Sequence, residues 1–202
     1  KALKLEQEED SSKDKTLLPG LSIEAIAKDV PYFTLDHQKL NSFDTYFHEC
    51  FCNHFVYLDI VMPLCDISFE DMHDLKILAN FITEVGSKNM SYTNRLIEIQ
   101  NTFSALSCSL HLNTQKDLLD TLKPTIVIGS SMLARKLKEG CNLIHCVFSE
   151  NTFDDTARLK ELILSIHANL KNSMSSQALS LAMKESVSGL NPYAHLKNHL
   201  SG

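Results

Sequence analysis

Residues 54–62 read HFVYLDIVM and are rich in β-branched and aromatic side chains. Such side chains pack well on a pleated surface, so this composition is typical of a strand. A second candidate strand, residues 43–49, precedes it, and residues 50–53 are predicted to connect the two as a hairpin. Downstream, Ser68 begins a capping pattern, and apolar residues follow at helical spacing as far as Gly86. The sequence thus predicts a strand hairpin followed by a helix.

The rest of the chain repeats this alternation of strands and helices. The further predicted elements are a helix capped by Ser91, strands over residues 103–112 and 125–130, a helix over residues 133–148, and a long helix that begins at Asp154-Asp155 and runs past Leu181. An order in which strand pairs alternate with helix pairs indicates an α+β domain. We therefore expect a single, largely antiparallel sheet with helices packed on one face.

Composition and charge narrow the class of protein. The chain has 202 residues, 44% of them hydrophobic and 22% charged, which is ordinary for a globular domain. Its net charge of −6 argues against nucleic acid or an anionic membrane surface as the main partner. No apolar run approaches the roughly 20 residues that a membrane-spanning helix needs. We expect no nucleic-acid partner and no membrane partner.

The N-terminal part differs in character from the remainder. It opens with KALKLEQEEDSSKDK, which is polar and lacks the apolar core of a signal peptide. Position 1 is Lys rather than Met, so the chain is expected to be an excised piece of a longer protein. We interpret residues 1–40 as an interdomain linker segment and residues 41–202 as the α+β domain.

The chain contains six cysteines at irregular spacing, namely Cys50, Cys52, Cys65, Cys108, Cys141 and Cys146. A domain of this length does not need disulfides for its stability, and no secretion signal is present. We therefore expect mostly reduced thiols in an intracellular reducing compartment, either a bacterial cytoplasm or an organelle matrix. Cys141 and Cys146 lie in an amphipathic stretch and are expected to pack in the core.

Four metal-ligand side chains occur close together at His48, Cys50, Cys52 and His54. In an extended strand they would share one face at intervals of about 6.6 Å, which is too far apart for one zinc ion. A tight turn would bring some of them together, but structural zinc sites use two separated ligand pairs and no second pair follows. The end of a hairpin is the favoured interpretation, and a metal-binding module built on these four residues is an open alternative.

Two other patterns resemble catalytic motifs without completing them. His195 and His199 have the spacing of the outer histidines of H-x-x-E-H, but Asn198 holds the place of the glutamate, and an amide cannot accept the proton. Gly129-Ser130-Ser131 lacks the final glycine of a nucleophile elbow, because position 133 is Leu. The remaining acidic candidates, interpreted as solvated charges on helix surfaces, are Glu98, Glu139 and Glu150. The residues predict no catalytic site.

Several stretches, taken in order, carry a resemblance to a known family. They are Leu17–Ile26, Phe55–Ile60, Ser91–Ile99, Leu133–Leu137, Asn151–Asp155 with Arg158-Leu159-Lys160, and Ser201-Gly202. Together they are similar to the third-domain region of presequence proteases, a branch of the pitrilysin/insulinase metallopeptidases, and Asn151–Asp155 with Arg158 is the most specific match. The chain departs from the family at Thr102-Phe103-Ser104-Ala105, where the family has Thr-Gly-Gly. This departure argues against a substrate-edge role for the strand that begins there.

The resemblance implies a fold and a division of labour. It implies a mixed sheet of six strands flanked by helices, one of four similar domains in a two-halved clamshell. The H-x-x-E-H zinc site lies in the first domain of that family, and an Arg/Tyr pair that assists the transition state lies in the fourth. Neither region belongs to this chain. We therefore expect zinc in the parent enzyme, no cofactor in this chain and no catalytic residue in it.

The function that the resemblance implies is a non-catalytic, chamber-forming segment of a zinc metalloendopeptidase that degrades short unstructured peptides. Its partners would be the remaining domains of the same polypeptide and, in the parent, the peptide substrate. The alternative is a free-standing pseudo-peptidase module that pairs with an active subunit. Apolar patches exposed on the chain would favour its self-association as a homo-oligomer.

Overall fold

The computed structural model of the protein describes residues 32–116 and 118–201, together with Ile23, Ile26 and Lys28. The strands are β1 (Asp36–Leu40), β2 (Phe43–Phe47), β3 (Phe55–Pro63), β4 (Phe103–Gln115) and β5 (Leu118–Leu133). The helices are α1 (Phe69–Phe81), α2 (Tyr92–Thr102), α3 (Leu137–Ser149), α4 (Thr156–Ser176), α5 (Ala178–Val187) and α6 (Pro192–Ser201). The chain divides into two units, one ending at Phe51 and the other beginning at Cys52. Strands and helices together form an α+β fold, as predicted.

The first unit contains an antiparallel hairpin of β1 and β2, joined by Asn41 and Ser42. Asn41 has a φ of 55°, a conformation that asparagine tolerates better than most residues. The predicted pairing of residues 43–49 with 54–62 is therefore wrong, because this two-residue turn pairs β2 with the preceding segment instead. Most of residues 1–40 lie outside the described residues, so their interpretation as a linker stays a prediction; residues 36–40 of that segment form β1.

The second unit is built on a three-stranded antiparallel sheet with the order β3-β5-β4. Central strand β5 aligns Ile128 with Ile60 of β3 on one side and with Cys108 of β4 on the other. The expected single mixed sheet of six strands is not found in the described residues, which form this sheet and the separate hairpin. After β5 the apolar spacing is helical throughout, so that part of the chain supplies no further strand.

One face of the three-stranded sheet carries the core. A first cluster of buried side chains joins the sheet to α3 and consists of Phe103, Ile128, Met132 and Ile144. A second cluster packs α1 and α6 against the far end of β4 and β5, and its buried members are Met72, Leu196 and Leu200. The opposite face is open, with Tyr57, Asp59 and Val61 of β3 exposed. This arrangement confirms helices on one face of the sheet.

The predicted helix starts at Ser68, Ser91 and Asp155 are confirmed by hydrogen bonds. The Oγ of Ser68 accepts the amide of Asp71 at 3.1 Å, and the carboxylate of Asp155 accepts the amide of Arg158 at 3.0 Å. The Oγ of Ser91 accepts the Asn94 amide at 3.4 Å. Each contact satisfies an amide that has no partner within its own helix.

The long C-terminal helix is not continuous past Leu181 as predicted. It stops after Ser176, and Gln177, with φ −104° and ψ 7°, separates α4 from α5. Two serine side chains near the break bond back to the carbonyls of preceding residues, Ser173 to Leu170 at 2.9 Å and Ser176 to Ser173 at 3.1 Å. Such bonds compete with the helix ladder and favour its interruption. None of the helices in the described part of the chain is both long and apolar enough to cross a membrane.

The two cysteines expected in the core differ in burial. Cys146 is half-buried, but Cys141 is exposed, so the prediction for Cys141 is wrong. The buried stripe of α3 runs through Gly140, Ile144 and Val147, and Cys141 lies beside it. Helical amphipathicity fixes the buried stripe only to within about one residue at its margins.

The cysteine thiols are expected to differ in reactivity because of burial. Burial raises the pKa of the Cys108 thiol in β4, which lowers its fraction of reactive thiolate. We expect iodoacetamide at pH 8 to modify Cys141 about tenfold faster than Cys108 in the native chain. Time-resolved peptide mass spectrometry measures both rates in one sample, and unfolding in urea should make them equal. Equal rates in the native chain would contradict the burial that the fold assigns to Cys108.

Candidate functional site

A cleft of about 480 Å³ lies between the connection preceding α2 and the start of α4. We call it the α2–α4 cleft; it is lined by residues 85–92 and 152–155 together with Arg158 and Leu159. The N-termini of both helices border it, capped by Ser91 and Asp155. The cleft therefore coincides with the stretch 151–158 that carries the most specific family resemblance.

Arg158 occupies the wall of the cleft with its donors already engaged. Its Nη2 lies 2.9 Å from Glu84 Oε2, its Nη1 lies 2.9 Å from Glu161 Oε2, and its Nε donates to the Glu84 carbonyl at 3.3 Å. The guanidinium also stacks over the ring of Tyr92 at 4.5 Å. A cation neutralised in this way is a poor receptor for an anion, and its contacts instead tie α4 to α2.

Arg95 lies beneath the cleft and is 1% exposed. Its Nη1 donates to the carbonyls of Val85 at 3.1 Å and Gly86 at 2.9 Å, and its Nη2 donates to that of Cys146 at 3.5 Å. Desolvation by burial lowers the pKa of Arg95, and the nearby Cys146 and Glu150 oppose this shift. Arginine still keeps its charge at neutral pH, so three carbonyl dipoles solvate a buried cation.

The chain around Gly86 approaches itself closely. A Cβ on this glycine would lie 2.9 Å from the carbonyl oxygen of Met90 and 3.1 Å from the amide nitrogen of Tyr92. The Gly86 carbonyl also accepts the amide of Thr152 at 3.1 Å. Asn151 donates to the Ile82 carbonyl at 3.3 Å, and its buried Oδ1 has no partner among the described residues. These contacts join the end of α1, α2 and the start of α4 into one rigid junction.

Arg95 is the residue at this junction that sequence reasoning missed. The signal is present: Arg95 shares a helical face with Ile99 and Thr102, which are half-buried, so it occupies a core-facing position. Glu150, interpreted as solvated, is half-buried at the end of α3. Glu98 is exposed as predicted, and Glu139, also exposed, pairs with Lys136 at 2.7 Å.

The four candidate metal ligands fall in two different units. His48, in the first, bonds through its Nδ1 to the carbonyl of Thr34 at 3.1 Å, and Cys50 is exposed. Cys52 in the second is half-buried, and His54 has a φ of 65° with its carbonyl accepting the Ala134 amide. Within residues 32–116 and 118–201, no three His, Cys, Asp or Glu side chains are grouped to hold a metal ion. The metal-binding module stays an untested hypothesis.

The incomplete catalytic motifs have structural surroundings. The rings of His195 and His199 on α6 lie 5.6 Å apart, and His199 meets the edge of Phe69 at 4.8 Å. Asn198, in the place of the motif glutamate, donates to Glu185 Oε2 at 2.6 Å. The hydroxyl of Ser130 donates to the Leu58 carbonyl at 3.0 Å inside the sheet, which leaves it no role as a nucleophile.

Phe103, which replaces a family glycine, has a definite role in the fold. Its side chain is buried in the first core cluster, and the β4–β5 register shifts between Phe103 and Ala105. The shift accommodates a large side chain at the end of α2, where a glycine would leave a cavity. The start of β4 is therefore used for packing.

Comparison with known proteins identifies the class to which this junction and fold belong. The family model that matches describes the region associated with metallopeptidase family 16, subfamily C, and it covers residues 1–202, the whole chain. The chain belongs to this peptidase-associated family, and the predicted resemblance to the presequence-protease branch is confirmed.

The most similar relatives are much longer proteins. The "Presequence protease, mitochondrial" of Danio rerio is 25% identical over 202 residues, which are 100% of this chain and 20% of the relative. The protein of the same name from Xenopus tropicalis is 24% identical over 202 residues, again 100% of this chain and 20% of the relative. The "Presequence protease 1, chloroplastic/mitochondrial" of Arabidopsis thaliana is 21% identical over 201 residues, 99% of this chain and 18% of the relative. The chain thus spans about a fifth of the length of the curated relatives it matches.

Proposed function

We propose that this chain is a non-catalytic segment of a zinc metalloendopeptidase and forms part of the wall of a chamber in which short unstructured peptides are degraded. Membership of a peptidase-associated family and relatives named as proteases support the proposal. The zinc and the catalytic glutamate would belong to other domains of the parent polypeptide. The relatives' printed names favour an organelle matrix as the compartment.

The observation that carries the proposal is an apolar surface on α4 and α5. Large apolar side chains there are each more than half exposed, namely Ile163, Leu164, Leu170, Met174, Leu179 and Met183. No residue of α4 is fully buried. Apolar surface of this extent marks an interface, since soluble monomers expose few contiguous apolar patches. The remaining domains of a protein five times longer are the partner of this surface under the proposal.

Charge placed on this surface should separate interface effects from effects on the helix itself. Leu170→Glu is expected to lower self-association of the purified chain at least about fivefold, because it removes apolar contact and adds a charge that would be desolvated. Asn172→Glu adds the same charge on the opposite side of α4 and is expected to leave association unchanged. Sedimentation equilibrium measures both. Equal behaviour of the two variants would remove the evidence that this surface is an interface.

The function itself is tested in the longer polypeptide. The reading frame that contains this chain is expected to encode an H-x-x-E-H motif, and deletion of the segment should abolish peptide degradation. The isolated chain is expected to cleave no peptide. Chelator-sensitive cleavage by the isolated chain would refute the non-catalytic assignment. A short reading frame without the motif would favour the pseudo-peptidase module and direct the search to a partner protein.

A further inference from the structure

A second concave feature lies away from the α2–α4 cleft, between α1 and the connection that leads into it from β3. This groove, which we call the α1 groove, has a volume of about 620 Å³. That volume lies within the roughly 300–1,000 Å³ typical of ligand sites. Four half-buried apolar side chains contribute to its lining, namely Leu64, Ile67, Leu75 and Leu78.

Local structure fixes both walls of the groove. The amide of Leu64 donates to the Pro124 carbonyl at 2.9 Å, which anchors the connection to the sheet. Asp66 then turns the chain with a φ of 53°, a conformation that aspartate tolerates. On the other wall, the groove-lining residues 71, 74, 75 and 78 follow the three- and four-residue spacing that places side chains on one face of a helix.

Three carboxylates, those of Asp66, Asp71 and Asp74, stand around this apolar lining. All three residues are exposed, and none forms an ion pair within the described residues. Asp71 accepts the Ser68 hydroxyl at 2.6 Å, but this bond leaves its charge in place. Lys76, the basic residue of α1, donates instead to the carbonyl of Leu200 and is not part of the lining.

We propose that the α1 groove binds a peptide segment that carries basic and apolar side chains together. Apolar side chains would cover the half-buried lining and lose water, while lysine or arginine side chains would reach the uncompensated carboxylates of Asp66 and Asp74. An acidic or purely polar segment would satisfy one of these features and clash with the other. The inference rests on the proposed function, because it assigns a holding site for peptide to a wall segment of the chamber.

Charge complementarity favours this occupant over a second copy of the chain. The chain has 25 acidic and 19 basic residues, so two copies repel each other on average. Attraction to the exposed carboxylates is screened by salt, which gives the binding a characteristic dependence on ionic strength.

The test uses three fluorescein-labelled peptides of about twelve residues and the purified chain. One peptide alternates leucine with lysine, the second alternates leucine with glutamate, and the third alternates serine with lysine. Fluorescence anisotropy at low salt is expected to show binding of the leucine–lysine peptide, with the other two bound at least about tenfold more weakly. Binding should weaken several-fold on raising the salt from about 0.05 to 0.5 M.

Matched variants locate the binding on the chain. Asp66→Asn with Asp74→Asn should weaken binding of the leucine–lysine peptide about three- to tenfold, because each exposed pair contributes modestly. Asp59→Asn with Glu98→Gln removes two exposed charges outside the groove and should change it little. Asp71 is left intact because it supports the start of α1. Far-UV circular dichroism checks that all variants fold.

Cys65 supplies an independent readout inside the groove. It is exposed and belongs to the groove lining, whereas Cys141 is exposed elsewhere. The leucine–lysine peptide should slow alkylation of Cys65 several-fold and leave that of Cys141 unchanged. Equal binding by both double variants, an unprotected Cys65, or Cys65 protection that depends on chain concentration without peptide would overturn the proposal; the last result would assign the groove to a second copy.

The failure of this inference can be told apart from failure of the proposed function. If the chain binds no peptide but its deletion still abolishes peptide degradation by the longer polypeptide, the groove proposal alone is wrong. If the isolated chain cleaves the leucine–lysine peptide, the non-catalytic assignment is wrong whatever the groove binds.

Discussion

Replacement of Arg95 by methionine is expected to lower the free energy of unfolding by about 3 kcal/mol. Methionine fills similar space but donates no hydrogen bond, so the carbonyls of Val85, Gly86 and Cys146 lose a donor at a site that is almost fully buried. Each buried carbonyl left without a partner costs about 1–3 kcal/mol, and methionine's apolar packing recovers part of the loss. Urea denaturation of the 202-residue chain measures the change.

Two controls make the Arg95 experiment specific. Lys88→Met removes a positive charge from an exposed position beside the same cleft and should change stability by less than about 0.5 kcal/mol. Arg95→Lys keeps the charge without the forked donor geometry and should fall between the two. Amide exchange at Thr152 should also accelerate in Arg95→Met, because Thr152 shares the Gly86 carbonyl with Arg95. A loss below about 1 kcal/mol would show that water replaces the guanidinium.

Replacement of Met132 by alanine is expected to cost about 3 kcal/mol. Met132 is 0% exposed and lies in the cluster that holds the sheet against α3. Truncation removes its apolar contacts and leaves a cavity that the surrounding strand and helix backbones cannot fully close. Denaturation of this variant against Met62→Ala provides the control, since Met62 on β3 is exposed and should lose little. Similar losses in the two variants would contradict the packing assigned to Met132.

The same site provides a test of coupling through Gly140. A Cβ on Gly140 would collide with the Met132 sulfur and lie 3.2 Å from Phe103 Cε1. Gly140→Ala alone should therefore destabilise the chain, although alanine favours a helix by about 1 kcal/mol over glycine. In the Met132→Ala background the added methyl group has room, so Gly140→Ala should become neutral or stabilising. A double-mutant cycle measures this coupling, and additive effects would contradict it.

Elements that depend on neighbouring residues could be predicted from the sequence. The caps at Ser68, Ser91 and Asp155 each involve an amide three residues away, so their pattern is legible in the chain. The pairing of β2 could not be read in the same way, because alternation indicates a strand without naming its partner. The turn at Asn41 decides that pairing through one backbone conformation.

The candidate sites show the same contrast between local and distant determinants. The stretch 151–158 was singled out by resemblance, but its rigidity comes from the buried Arg95, whose carbonyl partners lie 9 to 51 residues away in sequence. Periodicity assigns a charged residue to the solvent face of a helix, and Arg95 is an exception that only tertiary contacts reveal. The α1 groove likewise depends on a connection whose anchor, Pro124, is distant in sequence.

The central position of β5 has a consequence for how the chain acquires its structure during synthesis. Strand β3 pairs with residues 62 to 78 positions further along, from Pro63 with Thr125 to Phe55 with Leu133. At a translation rate of roughly 5–20 residues per second, β3 leaves the ribosome several seconds before its partner exists. During that interval its apolar face, including Leu58 and Ile60, has no sheet to join. The nascent chain therefore passes through a stage in which a chaperone that shields extended apolar segments would raise the yield of folded protein.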